Sequence, residues 1–349
     1  MIVKEGLVEF NISSETKLTK KMSVFYNPVM SFQRDLNIAL LKALNNKNLI
    51  MADILAGSGV RSLRFLKELD CVDSIFVNDG NPQAFKIIKK NIKDKRAIIT
   101  NKNANATLYD FPVFDYIDID PFGSPNPFLD ASIQRLKLNG VLAITATDTA
   151  ALCGTYVKAC KRKYLSVPLR NELMHEIGIR ILIRKVQLIG AQYDKAFIPV
   201  FSHSTRHYMR VYFKHSRKKS DVDELFKNHQ FFHYCNFCMN HFVSMNEKEE
   251  CCKDMLTAGP VWTGNLWEDN LVEKMIEYSE HKFFLKTILG ESKMNTIGFY
   301  DMHKFASKLK ISPPKKELLL KHGVSTHFTP TGIKTKLSVK EFMKLFKKK

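Results

Sequence analysis

The sequence predicts an α/β fold: a Rossmann-like, doubly wound and mostly parallel sheet, followed by a smaller α+β C-terminal domain. Three observations predict it. Short apolar runs alternate with stretches of helical period between Leu49 and Thr147, the pattern of repeated βαβ units. The first run, Leu49 to Leu55, passes directly into Ala56-Gly57-Ser58-Gly59 and then a helical stretch, the strand–glycine turn–helix opening of a nucleotide-binding unit. The pattern changes from Thr155, and a boundary is expected near 215–230, in the charged run Lys214 to Asp223. With 349 residues, about two domains are expected, so the division falls into 1–220, the sheet domain, and 221–349.

In chain order, Leu7 to Ile12 is a candidate strand. Phe25-Tyr26-Asn27-Pro28 reads as an aromatic pair and a turn. Arg34 to Leu44 has helical period, so this segment either lids a pocket or packs as an entry helix. At the glycine turn, Gly57 and Gly59 let the backbone approach a ligand closely. Ser62 stands where a third glycine would serve a pyrophosphate, and Asp53 lies within the strand itself. That combination suits a smaller cationic nucleoside such as S-adenosylmethionine. The second strand, Ser74 to Val77, ends at Asn78-Asp79. Asp79 is placed either to accept from ribose hydroxyls or to cap the following helix at Pro82. A lysine-rich helix over 83–95 and a strand Ala97–Thr100 follow. Asn103 to Ala106, including Asn105 and Ala106, either flank an adenine ring or form a plain loop.

The fourth strand, Phe114 to Ile117, runs into Asp118-Ile119-Asp120-Pro121-Phe122-Gly123-Ser124-Pro125. Two carboxylates at a strand end, with a rigid Pro/Gly turn behind them, make a polar corner facing a ligand crevice. Asp120 can accept a hydrogen bond from an amine, and Phe122 can pack on a flat ring. A helix is expected over Phe128–Leu138 and a fifth strand over Gly140–Thr147. Beyond these, Arg170–Val186 has helical period, and Phe197–Ser202 and Tyr208–Phe213 are strand-like. Residues 269–289 and 301–309 read as amphipathic helices.

Lys and Arg number 54 against 35 Asp and Glu, a net charge of +19. This implies a polyanionic partner, nucleic acid before membrane. Residues 155–185 carry eight of the basic residues, and the tail from Lys334 carries seven lysines and one glutamate. The tail is either a basic helix on phosphate or a solvated end. No apolar run reaches the roughly 18 residues of a membrane-spanning helix, and the N-terminus lacks a secretory pattern. A cytoplasmic protein is expected, without a membrane partner and monomeric. Its seven cysteines are then reduced thiols or metal ligands. Cys235 and Cys238 form a Cys-x-x-Cys knuckle, and Cys251 and Cys252 follow 13 and 14 residues after Cys238. The set is a candidate zinc site or a metal-free remnant, because adjacent cysteines seldom share one ion; His233, His241 or Asp254 could complete it.

Assembled, these residues resemble the tRNA (guanine-N2)-dimethyltransferase family of archaea and eukaryotes, over nearly the full length. The resemblance rests on Phe25 to Pro28 with Arg34-Asp35, Ala56 to Arg61, Asn78-Asp79, Asp118 to Pro125, His207 to Val211 and Gly259 to Gly264. It implies methylation of the exocyclic N2 of guanine 26 of tRNA, with S-adenosylmethionine as cofactor, and a C-terminal tRNA-binding domain. It implies that Arg34, Gly57, Gly59, Arg61 and Asp79 hold the cofactor. Asp120 would be catalytic with Pro121, and Phe25 and Phe122 would frame the base. A different nucleic-acid amino-methyltransferase, or an RNA-binding protein with a vestigial nucleoside pocket, are the rival readings.

Overall fold

The computed structural model describes residues 1–12, 26–111, 113–253 and 255–346. Strands β1 (Ile2–Glu5) and β2 (Val8–Asn11) form a hairpin. Helix α1 (Ser31–Leu44) then leads into a seven-stranded sheet. Its strands are β3 (Leu49–Asp53), β4 (Val72–Asn78), β5 (Ala97–Thr100), β6 (Phe114–Ile119), β7 (Leu136–Ala146), β8 (Ala196–Thr205) and β9 (Tyr208–Ser216). Their order is β5-β4-β3-β6-β7-β9-β8. β3 to β7 run parallel; β9 is antiparallel to β7 and β8. The order reverses between β3 and β6, which opens a crevice at their carboxyl ends. The central strands are apolar along both faces, as a sheet covered on both sides requires.

The covering helices are α2 (Val60–Glu68), α3 (Pro82–Asn91), α4 (Ala104–Tyr109), α5 (Asn126–Arg135), α6 (Thr149–Leu152), α7 (Val157–Tyr164) and α8 (Met174–Ala191). The helix expected over Phe128–Leu138 starts and ends earlier. Pro127 fits its first turn, and the chain turns extended at Leu136 to begin β7. Asn103 to Ala106 is no plain loop: Asn103 accepts from the amides of Asn105 and Ala106 and caps α4.

The C-terminal part contains α9 (Lys219–Lys227) and an antiparallel sheet of β10 (His229–Cys235), β11 (His241–Ser244) and β12 (Met255–Trp262). Helices α10 (Asp269–Tyr278) and α11 (Lys282–Met294) follow. They replace the single helix expected over 269–289, because Ser279 turns extended and its hydroxyl accepts from the His281 amide. Short strands β13 (Tyr300–Asp301), β14 (Val324–Ser325) and β15 (Gly332–Lys334) and helices α12 (Met302–Leu309), α13 (Lys316–Leu319) and α14 (Val339–Leu345) complete the chain.

One apolar core runs through both parts. Arg180 on α8 is buried; it pairs with Glu176 and donates to the Trp262 and Gly264 carbonyls. Lys334 is equally buried against Glu176. Neither residue is open to a nucleic acid, although each belongs to a basic segment of the sequence. Among the described residues no helix is long and apolar enough to cross a membrane.

Candidate active site

A cleft of about 520 Å³ opens at the carboxyl ends of β3, β4 and β6. The glycine turn forms one wall. Gly57 and Gly59 adopt left-handed φ of 55° and 77°. A Cβ on Gly59 would sit 3.2 Å from Ile88, so glycine lets α2 lie close against α3. Asp79, at the end of β4, fastens this wall: its carboxylate accepts from the Gly57 amide at 2.8 Å and the Asn81 amide at 2.8 Å. The helix cap at Pro82 is supplied instead by Asn81. Burial raises the Asp79 carboxyl above its ordinary range, against those two amides.

Asp118 and Asp120 stand two residues apart at the end of β6, so both face the same side of the strand. Asp118 is fully buried and Asp120 lines the cleft. Arg61, from the first turn of α2, bridges them: it lies 3.4 Å from Asp118 and pairs directly with Asp120. Beneath the corner, Arg210 of β9 grips Asp118 through two hydrogen bonds of 2.6 and 3.0 Å. Tyr116 and Asn37 also donate to Asp118, at 2.7 and 3.2 Å. Burial alone would raise the Asp118 carboxyl, but Arg210 and Arg61 hold it below the usual carboxylate range. Asp53, also buried, is pushed up to about 7 by burial and by the charges of Asp118 and Asp120, despite Arg61. Ser62 donates to it at 2.7 Å. The serine in place of a third glycine therefore has a structural use.

Most residues singled out in the sequence meet in this cleft. Arg34, Asp53, Gly57, Arg61, Asp79, Asp120, Pro121 and Phe122 all line it. Arg34 reaches the lining with its guanidinium already engaged, bidentate to Glu5 and bonded to the Asn27 carbonyl. Asn105 and Ala106 do not line the cleft; Asn105 donates to the carbonyl of Pro127, which does. Phe25 lies outside the described residues. Gln33 and Asn37 escaped the sequence reading, and Arg210 entered it only inside the stretch His207 to Val211, with no role of its own. Gln33 joins Arg61 to Thr145, and Asn37 joins Asp118 to Arg210. Their one local signal is a polar pair four residues apart on the buried face of α1.

The chain matches the family described as N2,N2-dimethylguanosine tRNA methyltransferase over residues 6–347. The chain belongs to this family. Among its relatives is the tRNA (guanine(26)-N(2)/guanine(27)-N(2))-dimethyltransferase of Aquifex aeolicus, 40% identical over 98% of this chain and 95% of the relative. The tRNA (guanine(26)-N(2))-dimethyltransferase of Methanocaldococcus jannaschii is 39% identical over 97% of this chain and 96% of its own. A solved complex of Trm1 from Pyrococcus horikoshii with S-adenosyl-L-methionine has a TM-score of 0.88 at 31% identity, covering 99% of both chains.

Away from the cleft, four cysteines of the C-terminal part come together. The thiols of Cys235, Cys238, Cys251 and Cys252 all lie within 4.8 Å of one another. Cys235 faces Cys252 at 3.5 Å and Cys238 faces Cys251 at 3.5 Å. The adjacent pair thus brings both its sulfurs, 3.8 Å apart, into the group. Neither His233 nor His241 belongs to the group, and Asp254 lies outside the described residues.

Proposed function

We propose that this cleft binds S-adenosylmethionine and that Asp120 orients the exocyclic amine of a tRNA guanine within it. The enzyme is an S-adenosylmethionine-dependent tRNA (guanine-N2)-dimethyltransferase, and the position assigned here is guanine 26. The observation that carries the residue roles is a carboxylate at the end of β6, lining the cleft, with one oxygen held by Arg61.

The cofactor supplies a methyl group on a positively charged sulfur. The protein must supply orientation, because the guanine amine is a poor nucleophile whose lone pair is delocalised into the ring. Arg61 occupies one oxygen of Asp120 and fixes the plane of the carboxylate. The other oxygen and the Pro121 carbonyl can accept the two amine hydrogens. That arrangement draws the nitrogen toward tetrahedral geometry and later receives the proton the methylated amine releases. Phe122, half exposed at the cleft edge, gives a flat surface for a base removed from its stack. Asp79 retains acceptor capacity for ribose hydroxyls beyond the two amides it holds. Gly57 and Gly59 shape the backbone against the nucleoside, and Asp53 underlies this wall. Arg34 reaches the cofactor only by exchanging contacts with Glu5.

The same reading divides the chain into residues 1–220 for catalysis and 221–349 for tRNA binding, and places a monomer in the cytoplasm with its substrate. It also assigns zinc to Cys235, Cys238, Cys251 and Cys252. A tetrahedral site with Zn–S bonds of about 2.3 Å has sulfurs about 3.8 Å apart, close to the separations found. The ion there would hold the knuckle together and take no part in methyl transfer.

Transfer of labelled methyl from S-adenosylmethionine to two tRNA transcripts, one with guanine and one with adenine at position 26, tests the proposal. Labelling of the first alone, released as N2-methyl- and N2,N2-dimethylguanosine, is expected. Equal labelling of both would refute the position, and label on adenine would refute the acceptor.

A further inference from the structure

A second cavity, of about 180 Å³, lies where the β8–β9 turn meets α11. His175, Ser204, Arg206, Phe284, His327 and Phe328 line it together with Thr205. It shares an edge of the molecule with the active cleft. β9 pairs with β7 so that Met209 lies opposite Ala146, and the next residue of that chain, Thr147, lines the active cleft. On the other side, Phe284 packs edge-on against Phe32 at 5.0 Å between centroids, two residues after the cleft-lining Met30.

Three features of this edge have no use in the catalytic corner. Arg206 and His207 form the two-residue turn between paired Thr205 and Tyr208. Both side chains are exposed, and neither has a hydrogen bond or ion pair among the described residues. Arg206 holds a left-handed φ of 55°, where glycine or asparagine would be the easy choice. Phe283, in the first turn of α11 beside exposed Lys282, is 86% exposed, the most of any large apolar side chain described. The cavity walls, by contrast, are firmly built. Glu291 accepts from the His327 ring at 2.6 Å and from its amide at 2.7 Å, and Ser204 lies 3.4 Å from His175.

We infer that this edge is a subsite for the tRNA strand that flanks the target guanine, with Arg206 on a phosphate and Phe283 as a stacking platform for an unpaired base. The inference rests on the tRNA reading above. A guanine can enter the cleft only if the strand on either side is pulled out of its helix. Neighbouring bases then lose stacking and their phosphates need cations. Sequence-tolerant binding of such strands uses this pairing of exposed aromatic rings with basic groups along the backbone path. The net charge of +19 favours a polyanion over a peptide here. The basic helix α7 reaches the same end of β7, where Lys163 pairs with Asp148 immediately beyond Thr147.

Two surface variants, Arg206→Ala and Phe283→Ala, test this without disturbing the core. Dissociation constants for a tRNA transcript are measured over a series of salt concentrations, with cofactor affinity measured beside them. Each variant is expected to weaken tRNA binding by about tenfold, while cofactor affinity stays unchanged. Arg206→Ala should also make the logarithmic salt dependence shallower by about 0.7–0.9, one phosphate's worth, and Phe283→Ala should leave it as it was. Wild-type affinity and slope in both variants would overturn the subsite while leaving the function standing. A wild-type enzyme that neither binds nor methylates tRNA would overturn both.

Discussion

At the end of β6, Asp118 is locked among Arg210, Arg61, Tyr116 and Asn37, whereas Asp120 has one hydrogen-bonded contact among the described residues, Arg61. The first is a structural foundation, and the second is the residue proposed to orient the amine. Asp79 holds the glycine turn and also lines the cleft. Replacing it with alanine should weaken S-adenosylmethionine binding by about 1–3 kcal/mol, the loss of hydrogen bonds to a charged acceptor. Calorimetry giving wild-type affinity would remove the ribose assignment. That Asp79, Asp120 and Gly57 line one cleft was legible in the sequence, because each follows an apolar run and strand ends mark a crevice. Gln33, Asn37 and Arg210 were not, because their partners lie far off in the chain. Asn37 and Asp118 are 81 positions apart, and Asn37 and Arg210 are 173 apart. The polar pair on the buried face of α1 does not by itself announce a charged network shared with β9.

At the scale of elements, α8 joins the sheet to the C-terminal part, and Glu176 is its central contact. Burial alone would raise this carboxyl; Lys334 and Arg180 more than reverse that and hold it at about 2. Its folded value lies below the unfolded one of 4.5, so its stabilisation is complete above about pH 4.5 and is lost as pH falls toward 2. Glu176→Gln should therefore destabilise the protein near neutrality by about 3–5 kcal/mol, since Lys334 and Arg180 stay buried without their counter-charge. It should also flatten the loss of stability between those pH values. Denaturant unfolding across the pH series reads both effects, and parallel curves for variant and parent would contradict the assignment. The C-terminal element was only half legible. Its lysines suggested a phosphate-binding tail, yet α14 carries a capping box at Ser338 and Glu341, and Phe342 and Phe346 are buried against Tyr300 and Phe305. The outermost lysines, 347–349, lie outside the described residues. Phe342→Ala should cost about 3–5 kcal/mol of stability. Lys340→Ala with Lys344→Ala, both exposed, should cost under about 0.5 kcal/mol. Thermal unfolding that ranks them the other way would show a tail not packed on the body. Cutting the chain at residue 343 would confound charge with lost packing, since it removes Phe346 as well.

Over the whole molecule, a mostly parallel sheet with a crevice at its strand ends was readable from alternation and punctuation, because βαβ units repeat a local rule. The joint between the two parts was not. The charged run 214–223 marks the end of the sheet in sequence, but the apolar core continues past it, and Val167 and Gly259 exchange backbone hydrogen bonds of 2.8 Å across the divide. The four-cysteine cluster was readable only as a pair plus a doubtful pair, because sequence spacing hides the bend that returns Cys251 and Cys252 to Cys235 and Cys238. The account's central claim remains the division of labour at the end of β6, with orientation at Asp120 and cofactor binding elsewhere. Single-turnover methyl transfer by Asp120→Ala, with enzyme and cofactor saturating over labelled tRNA, tests it most directly. The account predicts a rate reduced at least about a thousandfold, the scale of removing one preorganised polar group, while cofactor and tRNA affinities measured in parallel stay within about threefold of the parent. A single-turnover rate within tenfold of the parent would contradict it.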